Sequence, residues 1–177
     1  MEITKPNLKK VIKAIKEGKV IICPTDTVYG LICDAGNKEA VARLYKIKKR
    51  PKNKLIPIFV SDIKMAKKLA EINPRQEKFL KRVWPGPVTA VFHYKKPGIR
   101  IPNYKFVLDL VKHTGPLAET SANISGQPAS TKIKEVIKQF EGKRHQPDLA
   151  VDAGNLKKAK PSKVIDLTIW PPKILRY

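Results

Sequence analysis

The sequence predicts an α/β fold, a mixed parallel and antiparallel sheet with helices on its faces. Short apolar, β-branched runs alternate with helical patterns along most of the chain, which implies a layered arrangement of sheet and helices. Few residues separate Val20–Cys23 from Tyr29–Cys33, or Val88–Tyr94 from Gly98–Ile101. Such gaps are too short for a helical crossover, so both pairs should be antiparallel. With 177 residues, 42% of them hydrophobic, and no low-complexity linker, one domain over residues 1–177 is long enough to bury its own core.

Each element has a local reason. Leu8, Val11, Ile12 and Ile15 fall on one stripe of a helix over Asn7–Lys16, with Asn7 as its cap and Gly18 as its stop. Val20–Cys23 is then a buried strand ending at Pro24, and Tyr29–Cys33 a second strand. Asn37 caps a helix carrying Val41, Leu44 and Tyr45. Ile56–Val60 is a strand, and Asp62 opens a short helix. Asn73-Pro74 opens another, since proline is tolerated at the first helical position; it ends before the rigid corner Trp84-Pro85-Gly86-Pro87. Strands over Val88–Tyr94 and Gly98–Ile101 follow, then a helix over Tyr104–Lys112 and a strand over Leu117–Thr120. Ser130 or Thr131 caps a helix bearing Ile133, Val136, Ile137 and Phe140. Leu149–Asp152, Val164–Leu167 and Ile174–Arg176 complete the strands, and no internal repeat is visible.

Composition narrows the function classes. Thirty-seven Lys and Arg against 15 Asp and Glu give a formal charge of +22. Such a field concentrates anions, whether nucleotide or nucleic acid. Many of the lysines lie on helix faces, such as Lys9, Lys10, Lys13 and Lys16, where the ordinary role is a solvated surface. No aromatic platform accompanies them. The two cysteines, Cys23 and Cys33, sit in apolar runs and match no zinc spacing, so buried thiols are expected and a metal site is not. No apolar run is long enough for a membrane helix, and the N-terminus lacks a leader-like stretch, so the expected location is the cytoplasm. His93, His113 and His145 lie in no motif, and no Ser-His-Asp arrangement is apparent.

Chemistry concentrates in loops beside the strands. Thr25-Asp26-Thr27 follows Pro24; Lys48, Arg50 and Lys54 cluster past a helix end; Thr120-Ser121-Ala122-Asn123 follows a strand; Pro161-Ser162 precedes one; and Arg100 and Arg176 stand on strands. Each has a plain structural role open to it. The hydroxyl and amide loops make turns, the basic cluster complements a helix C-terminus, and an Arg on a strand faces solvent. Together they also supply what a polyanion beside a small polar molecule needs: guanidinium forks for anionic oxygens, point charges, and hydroxyls.

In order and wording, these loops resemble the YrdC/TsaC family, the threonylcarbamoyl-AMP synthases of tRNA modification. The resemblance rests on P-T-D-T-V-Y-G-L at Pro24–Leu31, K-x-R-P at Lys48–Pro51 with Lys54 four residues past the Arg, W-P-G-P-V-T at Trp84–Thr89 and I-R-I-P at Ile99–Pro102. It continues through T-S-A-N-x-S-G at Thr120–Gly126, S-x-V-I-D at Ser162–Asp166 and I-L-R at Ile174–Arg176. The family fold implied is a twisted mixed sheet around a concave basic cleft. By resemblance, Lys48, Arg50, Ser121 and Asn123 form the catalytic tetrad. Arg50, Lys54, Ala122, Ser130 and Arg176 bind ATP. Thr27, Phe59, Arg100, Thr120 and Ser162 hold L-threonine, with Tyr29 as a wall and Arg100 on the carboxylate. Phe59 stands where a His is frequent in the family, and Lys163 where Thr is usual.

The activity implied is synthesis of threonylcarbamoyl-AMP and pyrophosphate from L-threonine, bicarbonate and ATP, with Mg2+ carried on the triphosphate. A separate tRNA threonylcarbamoyl-transferase would take the product. The chain ends at Tyr177, which corresponds to the short, single-domain form of the family. The charge keeps a second reading open, a non-catalytic RNA-binding module of the same fold, and with it direct contact with RNA.

Overall fold

A computed structural model describes residues 1–176. In chain order the elements are β1 (Glu2–Thr4), α1 (Leu8–Lys16), β2 (Ile21–Cys23), β3 (Gly30–Asp34), α2 (Lys38–Lys48), β4 (Ile58–Phe59), α3 (Ile63–Lys67) and α4 (Pro74–Val83). They continue with β5 (Val88–Val91), β6 (Ile99–Arg100), α5 (Lys105–Thr114), β7 (Leu117–Ser121), α6 (Ile133–Phe140), β8 (Leu149–Val151), β9 (Lys163–Asp166) and β10 (Lys173–Arg176). The strands form one sheet in the order β1-β8-β2-β3-β7-β4-β6-β5-β9-β10. It is mixed: β2 pairs antiparallel with β3 and parallel with β8, and β5 pairs antiparallel with β6 and parallel with β9. Both hairpin-like pairs are therefore antiparallel, as their short connections require.

Side chains alternate across the strands and divide the core between two faces. Ile22, Leu31 and Cys33 face α2 and α6 through Leu44, Ile47, Val136 and Phe140. Ile21, Cys23 and Ile32 face α1 and α5 through Val11, Ile15, Leu110 and Val111. A third cluster packs Leu80 and Trp84 on Ala90, Ile99 and Ile165. Each fully buried Leu or Ile contributes about 1.5–3 kcal/mol against conformational entropy. The two cysteines are free and buried on opposite faces, and burial pushes the Cys33 thiol up to about 12 and that of Cys23 higher still. Among the described residues no helix is long and apolar enough to cross a membrane.

Caps fix the helix starts. Asn7, Asn37 and Asp62 each accept a first-turn N–H through their side chains. Asn73 and Gln76 form a reciprocal capping box at α4, both bonds 2.9 Å, and Gln76 Nε2 donates to Leu167 O, tying the helix to the end of β9. Asn73→Ala is therefore expected to cost about 1 kcal/mol, read as a lower urea midpoint, while Asn73→Asp leaves the midpoint near wild type.

The structure departs from the sequence reading at α6. Its cap position is Lys132, with no side-chain cap bond. Lys132 is drawn into a β-bridge with Asn155, which delays the helix, and Ser130 Oγ accepts from Lys132 N and donates to Glu135 instead. The β1 strand, unread in the sequence, is largely exposed and adds to the sheet edge beside β8.

Candidate active site

Four loops and three strand ends meet at a hollow of about 470 Å³, within the ~300–1,000 Å³ range of small-molecule sites. Thr27, Arg50, Arg100, Thr120, Ser121, Ser162 and Arg176, expected together, all line it. The sheet order explains why: residues far apart in sequence stand on strands that flank the short central pair β4 and β6.

On one side the β2–β3 turn is braced by its own hydroxyls. Thr25 Oγ1 donates to Val28 O at 2.7 Å and accepts from Thr27 N at 3.1 Å. Asp26 is turned inward, where its carboxylate accepts from Arg100 Nη2 at 2.7 Å and from Asn103 N at 3.0 Å. Arg100, only 2% exposed, also donates from Nε to Gly86 O and stacks over the Phe59 ring at 5.4 Å. Its Nη1 is the nitrogen left for a ligand among the described residues.

At the end of α2 the backbone turns left-handed at Lys49, with φ 53°, so that Lys48 and Arg50 point to different places. Lys48 goes inward. Its Nζ donates to Ser121 O at 2.6 Å and Asn123 Oδ1 at 2.8 Å, with Ser121 Oγ and Asn123 O at 3.2 Å. Burial lowers the ammonium to about 8, opposed by the nearby Glu119 carboxylate. Ser121 Oγ donates to Asn123 Oδ1 at 2.7 Å, so lysine, serine and asparagine form one network behind the wall. Arg50 reaches the hollow, and its guanidinium is held by the carbonyls of Lys54 (2.7 Å) and Leu55 (2.8 Å). Across the hollow, Ser162 Oγ and Thr89 Oγ1 lie 3.2 Å apart, and Arg176 Nη2 donates to Ser162 O.

Several expected site residues stand elsewhere. Phe59 is fully buried beneath Arg100 and does not reach the hollow. Tyr29 is likewise core, its hydroxyl donating to Gly154 O rather than forming a wall. Lys54 is exposed, Ser130 is turned to Glu135, and Ala122 is buried with its N–H on Tyr29 O; none lines the hollow. Lys48 and Asn123 sit one layer behind. Glu119 was missed. It is the only carboxylate among the described residues lining the hollow, beside Arg50, Lys96, Arg100 and Arg176, and burial pushes it up to about 7 against the pull of Arg100 and Lys48. A Glu in a strand reads as solvent-facing, and only the position two residues before Ser121 hinted otherwise.

Known proteins share this sheet. The Sua5/YciO/YrdC family model, described as telomere recombination, matches residues 13–177. The chain is 35% identical over 176 residues to the threonylcarbamoyl-AMP synthase of Pyrococcus abyssi, covering 92% of this chain and 51% of that protein. It is 32% identical over 174 residues to the threonylcarbamoyl-AMP synthase of Vibrio vulnificus, covering 83% and 94%. The crystal structure of P. abyssi Sua5 complexed with L-threonine superposes with a TM-score of 0.87 at 31% identity, over 99% of this chain and 56% of that one. Escherichia coli YciO shares the fold, with a TM-score of 0.85 at 23% identity over 99% and 93%. The chain thus spans about half the length of its P. abyssi relative. A family match from α1 onward, on a sheet that superposes nearly end to end, makes this chain a member of the Sua5/YciO/YrdC family.

Proposed function

We propose that the chain forms threonylcarbamoyl-AMP and pyrophosphate from L-threonine, bicarbonate and ATP. The observation that carries the reading is the convergence on one hollow of fixed guanidiniums and hydroxyl turns, in a chain whose relatives bear the synthase name and include a threonine-bound structure. Arg50 and Arg176 receive the phosphates, with Lys54 swinging in from the loop rim and Ser130 towards the nucleotide, while Ala122 acts from behind by anchoring the Ser121 turn on Tyr29 O. Arg100 takes the amino-acid carboxylate through Nη1, and Thr27, Thr120 and Ser162 its polar atoms, while Phe59 acts from beneath by supporting Arg100. Lys48 and Asn123 hold Ser121 in place. The carbamate oxygen attacks the α-phosphorus and pyrophosphate leaves. That step needs in-line placement and charge neutralisation, which rigidly held cations supply. One lining carboxylate among the described residues does not make a resident Mg2+ site, so the metal would enter on the triphosphate. The product would pass to a tRNA threonylcarbamoyl-transferase, and residues 1–177 would act as one domain in the cytoplasm.

The test is pyrophosphate release by the purified chain with and without threonine and bicarbonate, with the adenylate identified by mass. Release that requires both substrates supports the synthase. Threonine-independent hydrolysis, or salt-sensitive RNA binding with no release, overturns it. Arg50→Ala is expected to lower the threonine-dependent rate by about 10²–10³-fold, as for loss of a preorganised charge at a transferring group.

A further inference from the structure

Among the described residues, Glu119 is the one acidic side chain in the wall of the hollow. Glu119 lies on β7, two residues before Ser121, and its side chain crosses to β3 at Gly30. A Cβ built on Gly30 would stand 2.9 Å from Glu119 Oε1 and 3.4 Å from its Cγ. Glycine at 30 is thus what lets the carboxylate lie there, beside the Thr25–Thr27 turn, because the same Cβ would also meet Thr25 Cγ2 at 3.4 Å. No hydrogen bond or ion pair to Glu119 is formed by the described side chains, although charged groups face it from several elements. These are Lys48 at the end of α2, Arg50 in the loop after it, Arg100 on β6, Arg176 on β10 and Asp26 in the β2–β3 turn, with the buried Cys23 thiol of β2 nearby.

A carboxylate without a partner works against a hollow built for phosphates, unless it meets a proton or a cation. Of the organic reactants in the synthase reading, on which this inference rests, only the amino acid carries a cation, its α-ammonium. That amine must lose a proton before it can form a carbamate. We propose that Glu119 receives the α-ammonium of the amino acid and serves as the proton acceptor that frees its amine. The step balances as R–NH3+ plus Glu119–COO− plus HCO3− giving R–NH–COO− plus Glu119–COOH plus water. The C–N bond forms as a C–O bond of bicarbonate breaks; the amine gives one proton to Glu119 and a second leaves in the water. Arg100 and Glu119 then bind the two ends of a zwitterion, the carboxylate on Nη1 and the ammonium on the acid. Burial sets the acid in the right range, since a carboxyl titrating at about 7 is ionised enough to accept and basic enough to hold a proton.

The experiment compares wild type with Glu119→Gln and Glu119→Asp, following threonine- and bicarbonate-dependent pyrophosphate release from about pH 5.5 to 9, with ATP and bicarbonate saturating and threonine varied. For wild type, kcat/KM for threonine, which reports the free enzyme, should rise with pH through an apparent pKa of about 7. Glu119→Gln should lose that limb and fall by about 10²–10⁴-fold. It should bind a non-hydrolysable ATP analogue at least as tightly as wild type, and melt no earlier at pH 8, because it removes a negative charge from a hollow that receives phosphates and one that no described side chain hydrogen-bonds. Glu119→Asp should keep the limb at an intermediate rate, which a purely structural role would not produce. A Glu119→Gln rate within about threefold of wild type with the limb retained overturns the proposal. So does a variant whose only change is a higher Mg2+ requirement, which would assign the carboxylate to the metal. A wild-type chain with no threonine-dependent release at any pH instead removes the synthase reading, and this proposal with it.

Discussion

Arg100→Ala is expected to destabilise the chain by about 3–5 kcal/mol and to remove threonine binding altogether. The guanidinium is buried between strands, and the Asp26 carboxylate it neutralises has a side chain only 10% exposed. Truncating one member leaves the other charge buried and alone, which costs far more than the pair contributes net. Gly86 O loses its donor as well. Urea unfolding supplies the number. An Arg100→Ala loss below about 1 kcal/mol would mean that Asp26 finds water or another partner, and the pair would then be incidental. The double variant Asp26→Ala/Arg100→Ala should recover much of the loss, because it leaves no orphan charge, yet it should bind threonine no better in calorimetry. Arg100→Lys should keep part of the stability without the binding, since an ammonium cannot reach Gly86 O, Asp26 and a ligand with one planar fork.

Lys48→Met is expected to act mainly on rate. Lys48 does not itself line the hollow, but its ammonium lies behind the wall residue Ser121, with four acceptors of Ser121 and Asn123 around it. Losing it lets the Ser121–Asn123 turn relax, and about 1 Å of misplacement costs on the order of 10²-fold in rate. Stability moves less, by about 1–3 kcal/mol, because orphaned acceptors are offset by removal of a desolvated charge. Here the pH dependence has a definite sign. The folded ammonium titrates near 8, below its ordinary value of 10.5, so between these values the unfolded chain binds more protons. The wild-type chain therefore gains stability from this group as pH rises from about 8 to 10.5, and Lys48→Met should flatten that rise. Pyrophosphate release within about threefold of wild type would show that the network is dispensable.

The parts of this architecture that rest on local chemistry were legible in the sequence. Asn7, Asn37, Asp62 and Asn73 announced helices by capping, and each cap bond is present. The two antiparallel pairs followed from connection length. Strand ends were overdrawn, as with Ile56–Val60, of which Ile58–Phe59 pairs, since apolar character continues past the ladder. β1 escaped because three residues with one exposed Ile carry no periodicity. Seven expected site residues do line the hollow, but which strands stand beside which was not readable, because parallel partners lie far apart in the chain, as Val88 of β5 does from Lys163 of β9. The same gap hid Glu119 and gave no sign that Phe59 and Tyr29 stand in the core. Facing inward is a property of the assembled sheet, and strand alternation alone does not say which inward face is core and which is cavity.

The sheet is thinnest where β4 and β6 join its flanks, two residues each. Thr27, Thr120 and Ser121 belong to one flank, Ser162 and Arg176 to the other. A molecule spanning the hollow therefore bridges that narrow waist, and its binding energy doubles as mechanical reinforcement. Occupancy should stiffen the chain as a keystone does an arch, with the melting temperature climbing with nucleotide concentration by mass action.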